Sequence, residues 1–356
     1  MLVTHFTPMA PGKSGMYEST KDQIKYERKE GIDSRFVDSV NYKMPGTFDD
    51  WLEAVDWREA LDADVWVVHC NIPPPLLEYI KHSEENRKKH KLVTIMHGPV
   101  ENMIFKEFAF MLKNIPEPAF SVTHINAIWD YDACVVLNQH EYNISSLFDE
   151  NDKIVHIQNS IDLERYAKGF AWEFSNRPAI ISADVPRVEK LPIHIVFAMP
   201  KVIEKIPTAR LNMYALPVVD IEFFRNIICR SKKMHLLRKC MENFQMKSNT
   251  IAPFIRGADI GFNSNYSGIM SRVHMEMMAA GVPIVSYNGD YTEYHAKIFD
   301  LDSIATQIAR CWEDLNNPEK KLREKTKEYA YKHFNRAVQV KKYVELYQKL
   351  KEGKDV

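Results

Sequence analysis

Glu276 is the residue whose chemistry most needs explaining. It lies in SRVHMEMMAAGVPIVSYNG, which runs from Ser271 to Gly289. The stretch starts with helical spacing, breaks at Gly281-Val282-Pro283 and becomes a short apolar strand. An acid among methionines and alanines must point to water or meet a partner. His97 ends LVTIMHG, where an imidazole can donate or accept near neutral pH. Arg187 and Lys190, in DVPRVEKLP, are two cations that suit a diphosphate. Gly12 and Gly15, in APGKSGMYES, lie in a loop that opens a helix, where backbone N–H groups and the helix dipole favour an anion. Each has a plainer reading. His97 could cap a helix, the cations could be solvated, and the glycines match neither nucleotide-binding glycine motif.

The elements that must position these residues follow one rhythm. LVTHFT, SRFVDSV, ADVWVVHC, LVTIMHG, DACVVLN and KIVHIQN read as strands separated by amphipathic stretches. PAIISAD, RLNMYAL, MHLLR and DIGFNSN continue the pattern, and three helices close the chain from about Asp302. Continuous apolar strands alternating with helices predict an α/β fold with parallel sheets covered on both faces. Ligands of such sheets bind beyond the carboxyl ends of the strands. That rule selects Pro11–Gly15, His69–Asn71, His97–Gly98, Asn138, Asn159–Asp162, Asp184–Lys190 and Asn263–Ser271. Asn159, Ser160 and Asp162 also suit a simple turn. The expected division is a first domain over 1–165, a second over 166–333, and a terminal helix over 334–356 packing back toward the first.

Composition narrows the class further. The chain has 356 residues, 45% apolar and 27% charged, as in soluble globular proteins. With 47 basic and 48 acidic residues, no net field draws it to nucleic acid or an anionic membrane. Five scattered cysteines without a C-x-x-C pair argue against a disulfide scaffold or a zinc site. No apolar run is long enough to cross a membrane, and the start does not read as a signal peptide. A cytoplasmic location is expected, with or without peripheral contact at a membrane surface.

Taken together, these segments resemble the GT-B glycosyltransferases, and in particular retaining enzymes of glycosyltransferase family 4. The specific part is ADIGFNSNYSGIMSRVHMEMMAAGVPIVS. It is similar to the family's Ala-Asp strand, helix start and Glu-containing helix ending in Gly-x-Pro. KIVHIQNSID resembles the Asn-Gly-Val-Asp hinge, DACVVLNQHEY a first-domain strand, and HFNRAVQVKKYVELYQKL the closing helices. The sequence departs from the pattern at Gly268, where the family usually has a glutamate eight positions before Glu276. It also departs in the short Arg187-to-Lys190 spacing, in Arg238 where a glycine often stands, and in Ser160 at the hinge.

The resemblance implies two Rossmann-like domains facing a cleft. It implies transfer of a sugar from a UDP- or GDP-sugar, with retention and without a required metal or cofactor. Glu276 would bind the donor ribose, with Ser271 and Arg272 aiming their helix start at the phosphates. Arg187 and Lys190 would stabilise the departing diphosphate, and His97 would contact the transferred sugar. Gly15, Arg238 and Gly268 would complete the donor side, and Gly12, Tyr17, His97 and Glu101 the acceptor side. The acceptor could be a glycan, a lipid, a small molecule or DNA. Competing readings are an epimerase or inverting transferase on the same fold, a DNA-base glycosyltransferase, and a non-catalytic nucleotide-sugar-binding protein.

Overall fold

The computed structural model describes residues 1–7, 15–38, 61–69, 88–97, 131–149, 152–183, 192–216, 241–246, 251–265, 270–354 and 356. The chain divides into two units. One holds Met1–Ser160 with Arg336–Val356, and the other holds Ile161–Asn335.

Among the described residues the first unit is built on six parallel strands. They are β1 (Leu2–Thr7), β2 (Asp33–Asp38), β3 (Val65–His69), β4 (Lys91–Met96), β5 (Ala133–Val136) and β6 (Ile154–His156), in the order β2-β1-β3-β4-β5-β6. Every residue of β3 is buried, as a strand covered on both faces requires. Helix α1 (Gly15–Lys29) follows β1. It ends where Gly31 takes a φ of 81°, a left-handed turn open to glycine, and the Ile32 N–H returns to the Glu27 carbonyl. Helix α2 (Gln139–Ser145) starts at Asn138, whose side chain accepts from the Glu141 N–H. Asn138 is therefore a helix cap, the plainest role available to it.

Among the described residues the second unit has five parallel strands: β7 (Ala179–Ser182), β8 (Arg210–Leu216), β9 (Met241–Met246), β10 (Ile260–Asn263) and β11 (Ile284–Ser286). Their order is β11-β10-β7-β8-β9. Its described helices are α3 (Glu164–Ala167), α4 (Ile193–Lys205), α5 (Ile251–Gly257), α6 (Arg272–Ala279), α7 (Leu301–Asn316) and α8 (Leu322–His333). Ile195, Met199, Ile304 and Ile308 of α4 and α7 cover one face of the sheet, against Leu211, Ile260 and Phe262. On the other face, Tyr166, Ile255, Met275, Met278 and Ala330 pack against Ile181 and Ile284. Asp259 ties the strand starts together. It accepts from Arg177 and Arg323, each at 2.9 Å, and from the Ala179 N–H at 2.8 Å.

The final helix, α9 (Arg336–Lys351), belongs to the first unit. Its Tyr343, Leu346, Tyr347 and Leu350 join Val3, Val65, Val67, Val93 and Ile95 in one core. On the opposite face, Phe6, Trp66, Val68 and Leu92 form another.

One strand differs from the sequence reading. β9 lies at Met241–Met246, whereas the expected strand MHLLR, residues 234–238, lies outside the described residues. MENFQM interleaves polar residues, and among the described strands β9 lies at the edge of its sheet, bonded to β8. It lacks the continuous apolar signature that marks buried strands. The two described cysteines whose state is defined, Cys134 and Cys311, are buried and reduced. Among the described residues no helix is long and apolar enough to cross a membrane.

Candidate functional site

Each sheet has a point where the chain changes direction of travel, and the strand ends there are the expected ligand positions. In the first unit this point separates β1 from β3, and in the second it separates β7 from β10.

In the first unit the strand ends carry a chain of histidines. His5 pairs in register with Val67, and His69 lies two residues beyond Val67 on the same face. His69 pairs with Ile95, and His97 lies two residues beyond that, again on the same face. The pleat thus lines up three imidazoles climbing toward the carboxyl edge. His5 Nδ1 lies 3.0 Å from His69 Nε2, and His69 Nδ1 lies 2.8 Å from His97 Nε2. At the inner end, His5 Nε2 meets Glu27 Oε2 of α1 at 2.8 Å. Glu27, His5 and His69 are all fully buried.

Glu27 is held by further donors: Ser34 Oγ, Gln23 Nε2 at 2.9 Å and the Tyr347 hydroxyl of α9 at 3.1 Å. Burial by itself raises the Glu27 pKa, but the contact with His5 and these hydrogen bonds outweigh it and hold the carboxyl below its ordinary range. Burial, and then the Arg336 guanidinium, pull His97 down to about 3. His69 is also held well below the ordinary histidine value, by burial and then by His97, His5 and Arg336. Arg336 itself donates to Ser19 Oγ at 2.8 Å and to the Ser160 carbonyl.

In the second unit the opening question about Glu276 has a structural answer. The side chain is buried, and its Oε1 accepts from the Tyr166 hydroxyl at 2.7 Å and from Arg272 Nε at 2.9 Å. The Arg272 contact is a helical i,i+4 ion pair. Burial raises the Glu276 pKa, while Arg272 and the Tyr166 hydrogen bond oppose that rise. Ser271 caps α6 with extended backbone, and its Oγ lies 2.7 Å from His274 Nδ1. At the end of β10, Asn263 Nδ2 donates to the Tyr291 hydroxyl at 2.6 Å, which lies 2.7 Å from Ser286 Oγ. Tyr166 and Tyr291 escaped the sequence reading because tyrosines 110 and 28 positions from their partners leave no local pattern.

The structure accounts for the other expected site residues as follows. Gly15 is the first residue of α1 and is exposed. Tyr17 packs edge-to-face on Phe36 and is 2% exposed, in one cluster with Ile24. One helical position places its bulky ring against β2, where burying apolar area outweighs exposing it. Gly12, Glu101, Arg187, Lys190, Arg238 and Gly268 lie outside the described residues. Among the described residues no group of three or more His, Cys, Asp or Glu could hold a metal ion.

No protein-family model and no curated protein matches the chain. Solved structures do match, along nearly its whole length. Anabaena HepE, solved in complex with UDP-glucose, superposes with a TM-score of 0.71 at 12% identity, covering 98% of this chain and 99% of that one. A glycosyltransferase from Rickettsia africae gives 0.65 at 15% identity, covering 98% of each chain. An alpha-glucosyltransferase solved with UDP and a 13-mer DNA containing an HMU base gives 0.67 at 14% identity, covering 98% and 99%. The chain thus has the α/β fold of the GT-B glycosyltransferases, with two units each built on a parallel sheet.

Proposed function

We propose that this protein is a glycosyltransferase that moves a sugar from a nucleotide-sugar, with UDP-sugars as the first donors to try. The observation that carries the reading is the buried Glu276 on α6, the helix that follows the switch-point strand β10, in a fold shared end to end with transferases solved with UDP. Oε1 of Glu276 is spoken for by Tyr166 and Arg272, so the ribose hydroxyls would meet Oε2. The two fixed partners orient the carboxylate in advance, which reduces what binding must order. The amino end of α6, at Ser271 and Arg272, would favour the diphosphate.

In this reading the acceptor hydroxyl attacks the anomeric carbon on the face the diphosphate leaves. The carbon–oxygen bond to phosphate breaks with its electron pair, and a leaving phosphate oxygen takes the hydroxyl proton. Arg187 and Lys190 would stabilise the charge that develops on the diphosphate, and His97 would contact the transferred sugar. Gly15 would let the backbone after β1 approach the donor. No step calls for a metal or cofactor.

Thermal shift with UDP and UDP-glucose tests the reading, because a ligand at a hundred times its Kd adds about 2.7 kcal/mol to stability. Glu276→Gln keeps the shape that Tyr166 and Arg272 require, and should weaken UDP binding on the order of tenfold. An unchanged affinity in that variant counts against the ribose role. Absence of any shift with a panel of nucleotide-sugars removes the reading altogether. The anomeric configuration of the product, read by NMR, decides between retention and inversion.

A further inference from the structure

Every ionisable group of the histidine chain faces another member of it, so the proton positions can be worked out link by link. Glu27 accepts from Ser34, Gln23 and Tyr347, a donor set that suits an ionised carboxylate and leaves it nothing to donate. His5 Nε2 must therefore carry the proton of the 2.8 Å contact with Glu27. In a neutral ring His5 Nδ1 is then an acceptor, and His69 Nε2 must donate across the 3.0 Å link. The same logic makes His69 Nδ1 an acceptor and His97 Nε2 the donor across 2.8 Å. One nitrogen remains, His97 Nδ1, and it has a lone pair and no proton. The residue that bears it, His97, is partly exposed, just past the last residue of β4.

A metal centre is the obvious alternative for three histidines and a carboxylate. The geometry is against it. The ring nitrogens face one another in consecutive pairs at hydrogen-bond distance, in a line, and do not converge on a common point.

We propose that Glu27, His5 and His69 are positioning residues that fix the tautomer of His97, so that its Nδ1 stands as a bare acceptor at the carboxyl edge of the first sheet and takes a hydrogen bond from a hydroxyl of the glycosyl group. The hydroxyl recognition rests on the glycosyltransferase reading; the tautomer does not. The carboxylate orients a ring that never touches it, through two others, in the way a single buried acid sets the tautomer of a catalytic histidine. The device selects for a donor group. A sugar hydroxyl can supply one, while a carbonyl or ether oxygen at that point cannot. Tyr347 brings α9 into the arrangement, so the last helix of the chain helps to hold the ring at the edge of the fourth strand.

The test uses the full chain labelled with 15N-histidine, with long-range proton–nitrogen NMR near neutral pH and His97 assigned by its loss in His97→Gln. The expected spectrum shows His97 protonated at Nε2 and bare at Nδ1, with His69 and His5 in the same tautomer. A proton on His97 Nδ1, or averaged tautomers, overturns the proposal, and this native spectrum decides it even where no variant folds. His5→Phe adds a second readout, because it cuts the chain one ring away from His97. It should shift the His97 nitrogens toward mixed tautomers and leave UDP affinity unchanged. It should also lower kcat/KM for UDP-glucose on the order of tenfold, the scale of one lost hydrogen bond. An unchanged His97 spectrum in a folded His5→Phe protein overturns the relay. If the native chain neither binds nor turns over any nucleotide-sugar, the glycosyltransferase reading fails and the hydroxyl recognition with it, while the spectrum still decides the tautomer.

Discussion

Burial moves His97 and Glu276 in opposite senses, because it opposes charge and one group is charged by gaining a proton and the other by losing it. His97 falls from an ordinary 6.5 to about 3, so between those values the unfolded chain binds a proton that the folded chain refuses. Stability at this residue is present above 6.5 and is lost as pH falls through the window. Glu27, also lowered, adds a further loss below its ordinary 4.5. Urea denaturation at a series of pH values should show that decline, and His97→Gln should flatten its upper part. Glu276 works the other way. Its raised value makes the native state hold a proton above 4.5, so stability falls as pH rises through that range, and Glu276→Gln should remove the effect. Of these residues, His97 and Glu276 stand out in the sequence because each interrupts or ends an apolar run. Glu27 does not. In KYERKEG it looks like one more charge on a solvated helix face, and only the packing of α1 against β1 and α9 makes it a buried acid.

At the scale of elements, the passage from α6 to β11 depends on backbone shape. Gly281 adopts a φ of 81°, its N–H returns to Met278, and a Cβ there would stand 2.7 Å from Lys327 Cε. Gly281→Ala should destabilise the protein by about 1–2 kcal/mol, measured by chemical denaturation, because an L side chain is strained in the left-handed region. Asp259→Ala strips the acceptor from Arg177, Arg323 and the Ala179 N–H, and should cost about 2 kcal/mol. The helix-to-strand break was legible in Gly-Val-Pro because each residue there has a strong local preference. β9 was not, because an edge strand needs only one neighbour and tolerates polar residues.

At the scale of the whole molecule, the chain leaves its first unit after Ser160 and comes back at Arg336. Arg336 marks the return by donating to the Ser160 carbonyl and to Ser19 of α1. The last helix then supplies four large side chains to the core of a sheet whose strands were laid down more than 180 residues earlier. Leu346→Ala, at a fully packed position of α9, should cost about 3 kcal/mol. Amide exchange should locate the loss: β1, β3 and β4 should exchange faster, while the sheet of the second unit keeps its protection.

The sequence by itself determined the α/β class and the parallel sheets, because buried strands must be apolar throughout and the helices between them must be amphipathic. It also marked the strand ends where His97 and the α6 segment lie, since ligand edges follow from strand direction alone. Only the tertiary structure decided what those residues touch. His5, Glu27, His69 and His97 join across sequence separations of 22, 64 and 28, and Tyr166 reaches Glu276 across 110. Local preference operates within a few residues, whereas a hydrogen-bond chain across three strands and two helices exists only once the register of a folded sheet has brought its members onto one face.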